Sequence, residues 1–379
     1  MTSGSAFSRW RSPFIMPRLT RPDLWLLTAV VALVGLGIVM VFNVSYFRGQ
    51  ALYGDSYVFF RKHLVAVGMG FVVLAVASRI RPELLEAWAT VALAASLVAL
   101  LLVIVPGVGV ERGGAQRWIC VGSFCIQPSE FVKISVVLYL ARWISRHRDR
   151  LQEFLAGVVP LLLTVGLCAL LVVIQPDLGT AAILGFLLLA MLFVGGARPA
   201  HLLGLSVFSA ALLGLAIWMA PYRVQRILAF LHPWEHCQDT AFQLCQSLIA
   251  FGSGGISGVG LGQSRQKMFY LPEAHTDFIF SVVGEELGLL GVVVVLALFG
   301  VIAARGLRVA SRHPDPFSSL LAFGLTLVIV LSAVVNVGVV LGVLPTKGLA
   351  LPFLSYGGSA LTGALFEVGL LAALSRMTG

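Results

Sequence analysis

The sequence predicts an all-α polytopic membrane protein, with about ten transmembrane helices and a large extracytoplasmic loop between helices 7 and 8. Three observations carry that prediction. First, the 379 residues are 59% hydrophobic and 11% charged, with a mean hydropathy of +0.96, which no soluble core of this size matches. Second, apolar runs recur near 24–43, 62–78, 84–105, 130–144, 154–174, 180–195, 200–219, 278–303, 318–341 and 356–375. Third, the basic residues alternate between loops. With the N-terminus inside, Arg9, Arg11, Arg18, Arg21, Arg79, Arg81, Arg142, Arg146, Arg148, Arg150, Arg198, Arg305, Arg308, Arg312 and Arg376 all fall on the inner side, as the positive-inside rule requires. The net charge of +9 is therefore partly topological and does not call for nucleic acid.

Residues 1–23 are polar and basic and enter a long first span with no small-residue cleavage site, so a cytoplasmic tail is expected and not a signal peptide. Residues 24–379 form the transmembrane domain, which includes a periplasmic loop over 220–276.

The first informative loop runs from Val105 to Gln127 and contains Arg117 beside Trp118, either a headgroup anchor or a phosphate contact. Ser129 can cap the helix that follows. Glu130 and Lys133, three apart, lie on one face of it; they form an intramembrane ion pair, or Lys133 meets an anionic ligand. In the turn from Gln175 to Thr180, Asp177 either caps the sixth helix or contacts substrate.

The segment from Pro221 to Thr276 is long enough for a small lobe outside the membrane. Arg223 and Arg226 share a face if helical. A short helix is expected to begin at Asp239 or Thr240 and to end at Gly252. Gln243, Gln246 and Ser247 lie on one face, opposite Leu244, Leu248 and Phe251, so the helix would rest on the membrane surface with its glutamines toward solvent or a sugar. A glycine-rich loop follows, but no GxGxxG in a βαβ context, so nucleotide binding is not supported.

This loop gathers Arg265, Lys267, Glu273, His275 and Asp277, then turns apolar. Thr276 is the expected N-cap of the next span and Asp277 belongs to its first turn. Glu285 and Glu286 follow roughly 12 Å deeper, where structural pairing is favoured over catalysis. The last loop, Pro345 to Ser359, holds Lys347 and Ser355. It either offers an ammonium and free amides to phosphate oxygens or is a broken helix end satisfied by its neighbours.

Of the five cysteines, Cys120 and Cys125 share one outer loop, Cys237 and Cys245 share another, and Cys168 lies within a span. The outer pairs are bridged or free. Cys237 and Cys245, eight apart, can close a disulfide that would hold the Gln243–Ser247 helix. No histidine stands at a zinc-like spacing from either pair.

GLGQSRQKMFYLPEAHTDFIFSVVGEELG, LPTKGLALPFLSYGGS, GGAQRWI with QPSEFVK, QPDLGT and FQLCQSLIAFGSGG together resemble the SEDS family (shape, elongation, division and sporulation), closer to its FtsW branch than to RodA. The motifs cover spans three to ten in order. The resemblance implies an inner-membrane peptidoglycan glycosyltransferase that polymerises lipid II at the division septum with a class B penicillin-binding protein and other divisome membrane proteins. It places Asp277 on the family's catalytic aspartate. His232, where the family has Asp or Asn, and the cysteines Cys237 and Cys245 depart from the pattern and affect the shape of the outer lobe.

The chemistry agrees. A sugar hydroxyl must attack the anomeric carbon that carries pyrophosphate, a base must take its proton, and cations must hold the leaving group. Asp277 is the base on offer, with a helix cap as the plainer alternative. Arg117, Arg223, Arg226, Lys267 and Lys347 are the candidate phosphate contacts. Lys133, Asp177, Gln243, Gln246, Ser247, His275 and Ser355 complete the expected substrate site. A divalent cation, magnesium or manganese, is the one candidate cofactor, although no ligand cluster identifies it. A lipid II flippase and a non-enzymatic divisome scaffold are the competing functions.

Overall fold

The computed structural model describes residues 22–112, 115–122, 124–267, 271 and 274–377. Most of the expected tail and Glu273 lie outside the described residues. Among those described, nine helices are long and apolar enough to cross a membrane. They are α1 (Leu24–Tyr53), α2 (Val58–Ala77), α3 (Pro82–Ile104), α5 (Val159–Ile174, entered by a turn from Phe154), α6 (Leu178–Gly195), α7 (Pro199–Trp218), α10 (Ile279–Arg312), α11 (Pro316–Val340) and α12 (Gly358–Ser375). The tenth expected span is α4 (Pro128–Arg146), too rich in charge to qualify by hydropathy but well buried against α3, α6 and α11. Two shorter helices, α8 (Pro221–Leu231) and α9 (Phe242–Gly254), lie between α7 and α10.

The connections alternate between two faces. One holds shorter connections, the longest of them with a 3-10 helix over Arg148–Gln152, and there Arg305 donates to the Asp23 carboxylate at 2.7 Å while the Asp23 N–H reaches Ser375. The other is loop-rich and carries every polar motif of interest. It also holds the one departure from an all-α chain among the described residues, where the sequence predicts only a loop. Strands β1 (Gly109–Arg112), β2 (Ala115–Val121) and β3 (Phe124–Ile126) form an antiparallel sheet in the order β1-β2-β3. Cys120 faces Cys125 in its register, and the two are bridged.

α12 is the most enclosed helix, with nearly all its residues buried, and it packs chiefly on α2. The contact is close because Gly369 lies on the Leu74 backbone, where a Cβ would stand 2.6 Å from the carbonyl. Small residues bring membrane helices together in this way, since no hydrophobic force separates apolar side chain from lipid. Before α12 the chain crosses α1 at Gly37, where a Cβ would meet the Phe353 carbonyl at 2.5 Å.

Two expectations are corrected here. The span from 278 is not continuous: Gly288 has φ 63° and ψ −160°, which breaks α10 into a short first segment and a long second one. The backbone freed by the break is satisfied by the glycine-rich loop, as a membrane interior demands. Val259 and Gly260 donate to the Glu285 and Glu286 carbonyls at 3.0 and 3.1 Å, and Leu289 donates back to Gly255 at 2.9 Å. Gly258 is needed because any Cβ there would overlap the Glu286 carbonyl.

The second correction concerns α9. It begins at Phe242, not at Asp239 or Thr240, and does not rest on the surface but packs against the first segment of α10. Gly254 lies against the Gly284 backbone, and Phe251 meets Phe280 edge-on at 5.8 Å. Cys237 and Cys245 are bridged with Cα atoms 5.6 Å apart, which ties α9 to the turn before it; Cys168 is free and buried.

Candidate active site

Asp277 lies in the turn before α10, half-buried on the loop-rich face. Neither it nor Thr276 caps the helix: the N-cap position is Phe278, with no side-chain bond, which corrects the expected boundary. The loop between α11 and α12 passes directly over the carboxylate. At Gly348 a Cβ would stand 3.0 Å from Asp277 Oδ2, so the absence of a side chain permits this approach. Asn336, near the end of α11, donates to the Asp277 carbonyl at 2.8 Å and to the Leu349 carbonyl at 2.6 Å.

The same loop continues toward the α5–α6 turn. Leu349 covers Gly179, where a Cβ would be 2.9 Å away. Asp177 caps α6 through Thr180 N–H at 3.0 Å and Thr180 Oγ1 at 2.8 Å, and the field of its carboxylate acts on Lys347. Burial pushes the Lys347 pKa below its ordinary value, and Asp177 opposes that shift. Among the described residues no hydrogen bond or ion pair holds the Lys347 ammonium. Arg117 reaches from β2 to the carbonyls of Gln175 (2.9 Å) and Pro176, anchoring the sheet to this turn. Lys133 pairs with Glu130 at 2.8 Å, with Glu367 of α12 and Asp177 in electrostatic reach. Asp277, Gly348, Lys347, Asp177 and Lys133 thus lie on successive, adjoining elements.

Other sequence-predicted residues are occupied elsewhere. Lys267 is buried, and its three N–H donors go to Asn43 (2.6 Å), Gly262 (2.6 Å) and Glu286 (3.2 Å). Glu286 also accepts from Gly262 and Ser264 N–H and from Asn43, while Glu285 accepts from Ser264 and the Arg265 N–H. The structural reading of the two glutamates agrees with this geometry. Ser247 is buried, linked to Ser281 at 2.8 Å and donating to the Val340 carbonyl at 2.6 Å. Its hydroxyl thereby joins α9 to α10 and α11. Ser355 accepts from Leu351 N–H within its own turn, at 2.8 Å.

Gln243 and Gln246 are partly buried on α9. Arg223 and Arg226 do share a face of α8. There they flank the Tyr222 ring, and Arg223 donates to the Ala216 carbonyl at the end of α7. His275 packs among Phe59 (5.2 Å) and Tyr356 (5.5 Å), its carbonyl accepting from Tyr356 N–H.

Sequence reading missed Asn336, Glu367 and the role of Gly348. Asn336 and Glu367 carried a usable signal, each a polar side chain within an apolar span. For a metal the donor set does not fit: among the described residues no three His, Cys, Asp or Glu side chains converge.

The sequence model of the FtsW, RodA and SpoVE proteins, described as "Cell cycle protein", matches residues 24–379. A "Probable peptidoglycan glycosyltransferase FtsW" of Geobacter metallireducens is 43% identical over 365 residues, covering 96% of this chain and 97% of its own. "Stage V sporulation protein E" of Bacillus subtilis is 41% identical over 362 residues, covering 94% and 98%. Among solved structures, a chain of the work titled "Structural coordination of polymerization and crosslinking by a peptidoglycan synthase complex" superposes with a TM-score of 0.79 at 31% identity, covering 94% of this chain and 98% of its own. The rod shape determining protein RodA of Thermus thermophilus superposes with a TM-score of 0.69 at 29% identity, covering 94% and 97%.

Proposed function

The chain belongs to the FtsW, RodA and SpoVE family, and from that premise we propose that it is a peptidoglycan glycosyltransferase of cell division, with Asp277 as its general base. A sugar hydroxyl of one lipid II attacks the anomeric carbon of the growing strand or of a second lipid II. The new C–O bond forms as the bond from that carbon to the pyrophosphate oxygen breaks. The hydroxyl proton passes to the Asp277 carboxylate, and polyprenyl diphosphate leaves with the bonding electrons. The observation that carries this reading is the approach of Gly348 to Asp277 Oδ2, with Lys347 next in the chain. One loop thereby carries both the glycine that faces the carboxylate and, one residue earlier, a cation that feels Asp177 and has no protein partner among the described residues, and a departing diphosphate needs such charge.

Arg117, Lys133 and Asp177 border this site, so their substrate role in the proposal is to shape the wall behind Lys347. Arg223 and Arg226 serve the headgroup region beside α7, and Gln243, Gln246 and His275 the sugar side. A magnesium or manganese ion, if one serves, arrives with the pyrophosphate and not on a protein ligand cluster. The loop-rich face is the extracytoplasmic one, both chain ends are cytoplasmic, and the enzyme works at the septum. Its partner is a class B penicillin-binding transpeptidase, in keeping with the synthase complex to which the fold is similar.

The experiment is polymerisation of purified lipid II by the purified protein, alone and with that partner, in magnesium and in EDTA. Glycan strands from the complex support the reading. Transport of lipid II across vesicles without polymerisation would replace it by a flippase, and neither activity would leave a scaffold.

A further inference from the structure

Asn336 is 1% exposed near the end of α11, between valines at 334, 335 and 337. Such a position would ordinarily hold an aliphatic residue, since a polar group in an apolar span is costly unless it is used. Its amide nitrogen is used twice, on the carbonyls of Asp277 and Leu349. Its Oδ1 is buried with no partner among the described residues. A buried acceptor left unpaired costs about 1–3 kcal/mol. The side chain therefore satisfies its two neighbours better than itself.

Those neighbours are the two halves of the candidate site. Asp277 carries the carboxylate, and Leu349 lies two residues beyond Lys347 and one beyond Gly348. At the start of α10 the Ser281 N–H donates to the Phe278 carbonyl, at 3.0 Å, and the Asn336 amide reaches the Asp277 carbonyl. On the other side Leu349 makes a tight turn to the Lys347 carbonyl and packs on Gly179. One NH2 group thus bridges two segments from distant parts of the chain at the point where Gly348 faces Asp277 Oδ2.

We propose that Asn336 is a positioning residue for glycosyl transfer, and that its NH2 group sets the separation of the Asp277 carboxylate from the Lys347–Gly348 loop. The inference rests on the reading of Asp277 as the base. Misplacing a catalytic group by about 1 Å can cost on the order of 100-fold in rate without weakening binding.

The test compares Asn336→Leu, Asn336→Gln and Asp277→Asn in the complex with the transpeptidase, measuring kcat, KM for lipid II and thermal midpoint. Leu keeps the volume and removes both donors. Gln keeps both donors on a longer arm. The expected result is a kcat lower by roughly 10- to 100-fold in both Asn336 variants, with KM within about threefold of the parent. The Gln variant should do this with its thermal midpoint intact, which a merely structural amide would not produce; if Asn336→Leu does not fold, Asn336→Gln decides alone. Parental kcat in a folded Asn336→Gln or Asn336→Leu variant, with Asp277→Asn inactive, overturns the proposal and spares the base. A loss that only follows the thermal midpoint and vanishes at lower assay temperature overturns it as well. An active Asp277→Asn removes the base, and this proposal with it.

Discussion

Lys267 and Lys347 differ in a way that separates structural from working charge. Both lie in glycine-containing loops on the same face of the bundle, and both are candidates for phosphate from sequence. Lys267 is enclosed, with every donor placed on Asn43, Gly262 or Glu286. Lys347 is half-buried, feels Asp177, and is held by no protein acceptor among the described residues. An ammonium with three acceptors is the fastener of its own loop, and it has no donor left to give. One that is desolvated and unclaimed is poised for an anion from outside.

The largest effect should come from the carboxylate that Gly348 faces. Asp277→Asn keeps the volume but cannot accept a proton, so polymerisation should fall by about 100- to 10,000-fold while lipid II binding persists. Near-parental strand synthesis by the purified variant would leave the Lys347 cluster without its chemistry. Next, Lys267→Ala should strand the Glu286 carboxylate and cost about 3–5 kcal/mol of stability, read as a lower thermal midpoint. Whatever folds should bind lipid II with unchanged affinity. A selective loss of binding there would erase the distinction between the two lysines.

Lys347→Ala should do the reverse, weakening lipid II binding by roughly 10-fold or more with little change in thermal midpoint. A pyrophosphate-free analogue should bind parent and variant alike. The pH dependence sharpens this. The ammonium is charged below its pKa, and burial lowers that pKa, so binding should decline with rising pH sooner than for an ordinary lysine. Lys347→Arg should move that decline to higher pH, because a guanidinium stays protonated. An unmoved alkaline limb would take the effect away from Lys347.

The smallest effect lies in the bridge that touches neither cluster. Cys237→Ser with Cys245→Ser should retain activity and lose about 2–3 kcal/mol before strain, seen only without reductant. Peptide mapping that finds both thiols free in the native protein would remove this expectation.

Local spacing sufficed wherever a residue's partner is three positions away. The Glu130–Lys133 pair and the Asp177 cap on Thr180 are of this kind, and both are legible from helix geometry alone. The ten spans were legible as well, since apolar length is a property of a single segment. Reading failed where the partner is remote. Asn336 meets Asp277 59 residues away, and Lys267 meets Asn43 across 224. No periodicity encodes such pairs. The break at Gly288 escaped for a related reason, because a glycine in an apolar run is ordinary until the Gly258 loop is known to fill the gap. Ser247 misled because it shares a helical face with Gln243 and Gln246, yet its own hydroxyl is taken by Ser281 of α10 and the Val340 carbonyl.

The packing of α12 on α2 has a consequence in time. Roughly 280 residues separate the end of α2 from the start of α12. At about 5–20 residues per second, synthesis of that stretch takes on the order of 15–60 seconds. Throughout this interval α2 stands in the bilayer without the helix that later covers Gly70 and Leu74. The most enclosed helix is thus made after every other described span, and the bundle closes around it. Until then the loop that joins α11 to α12 has no second anchor, and Gly348 is not yet held against Asp277.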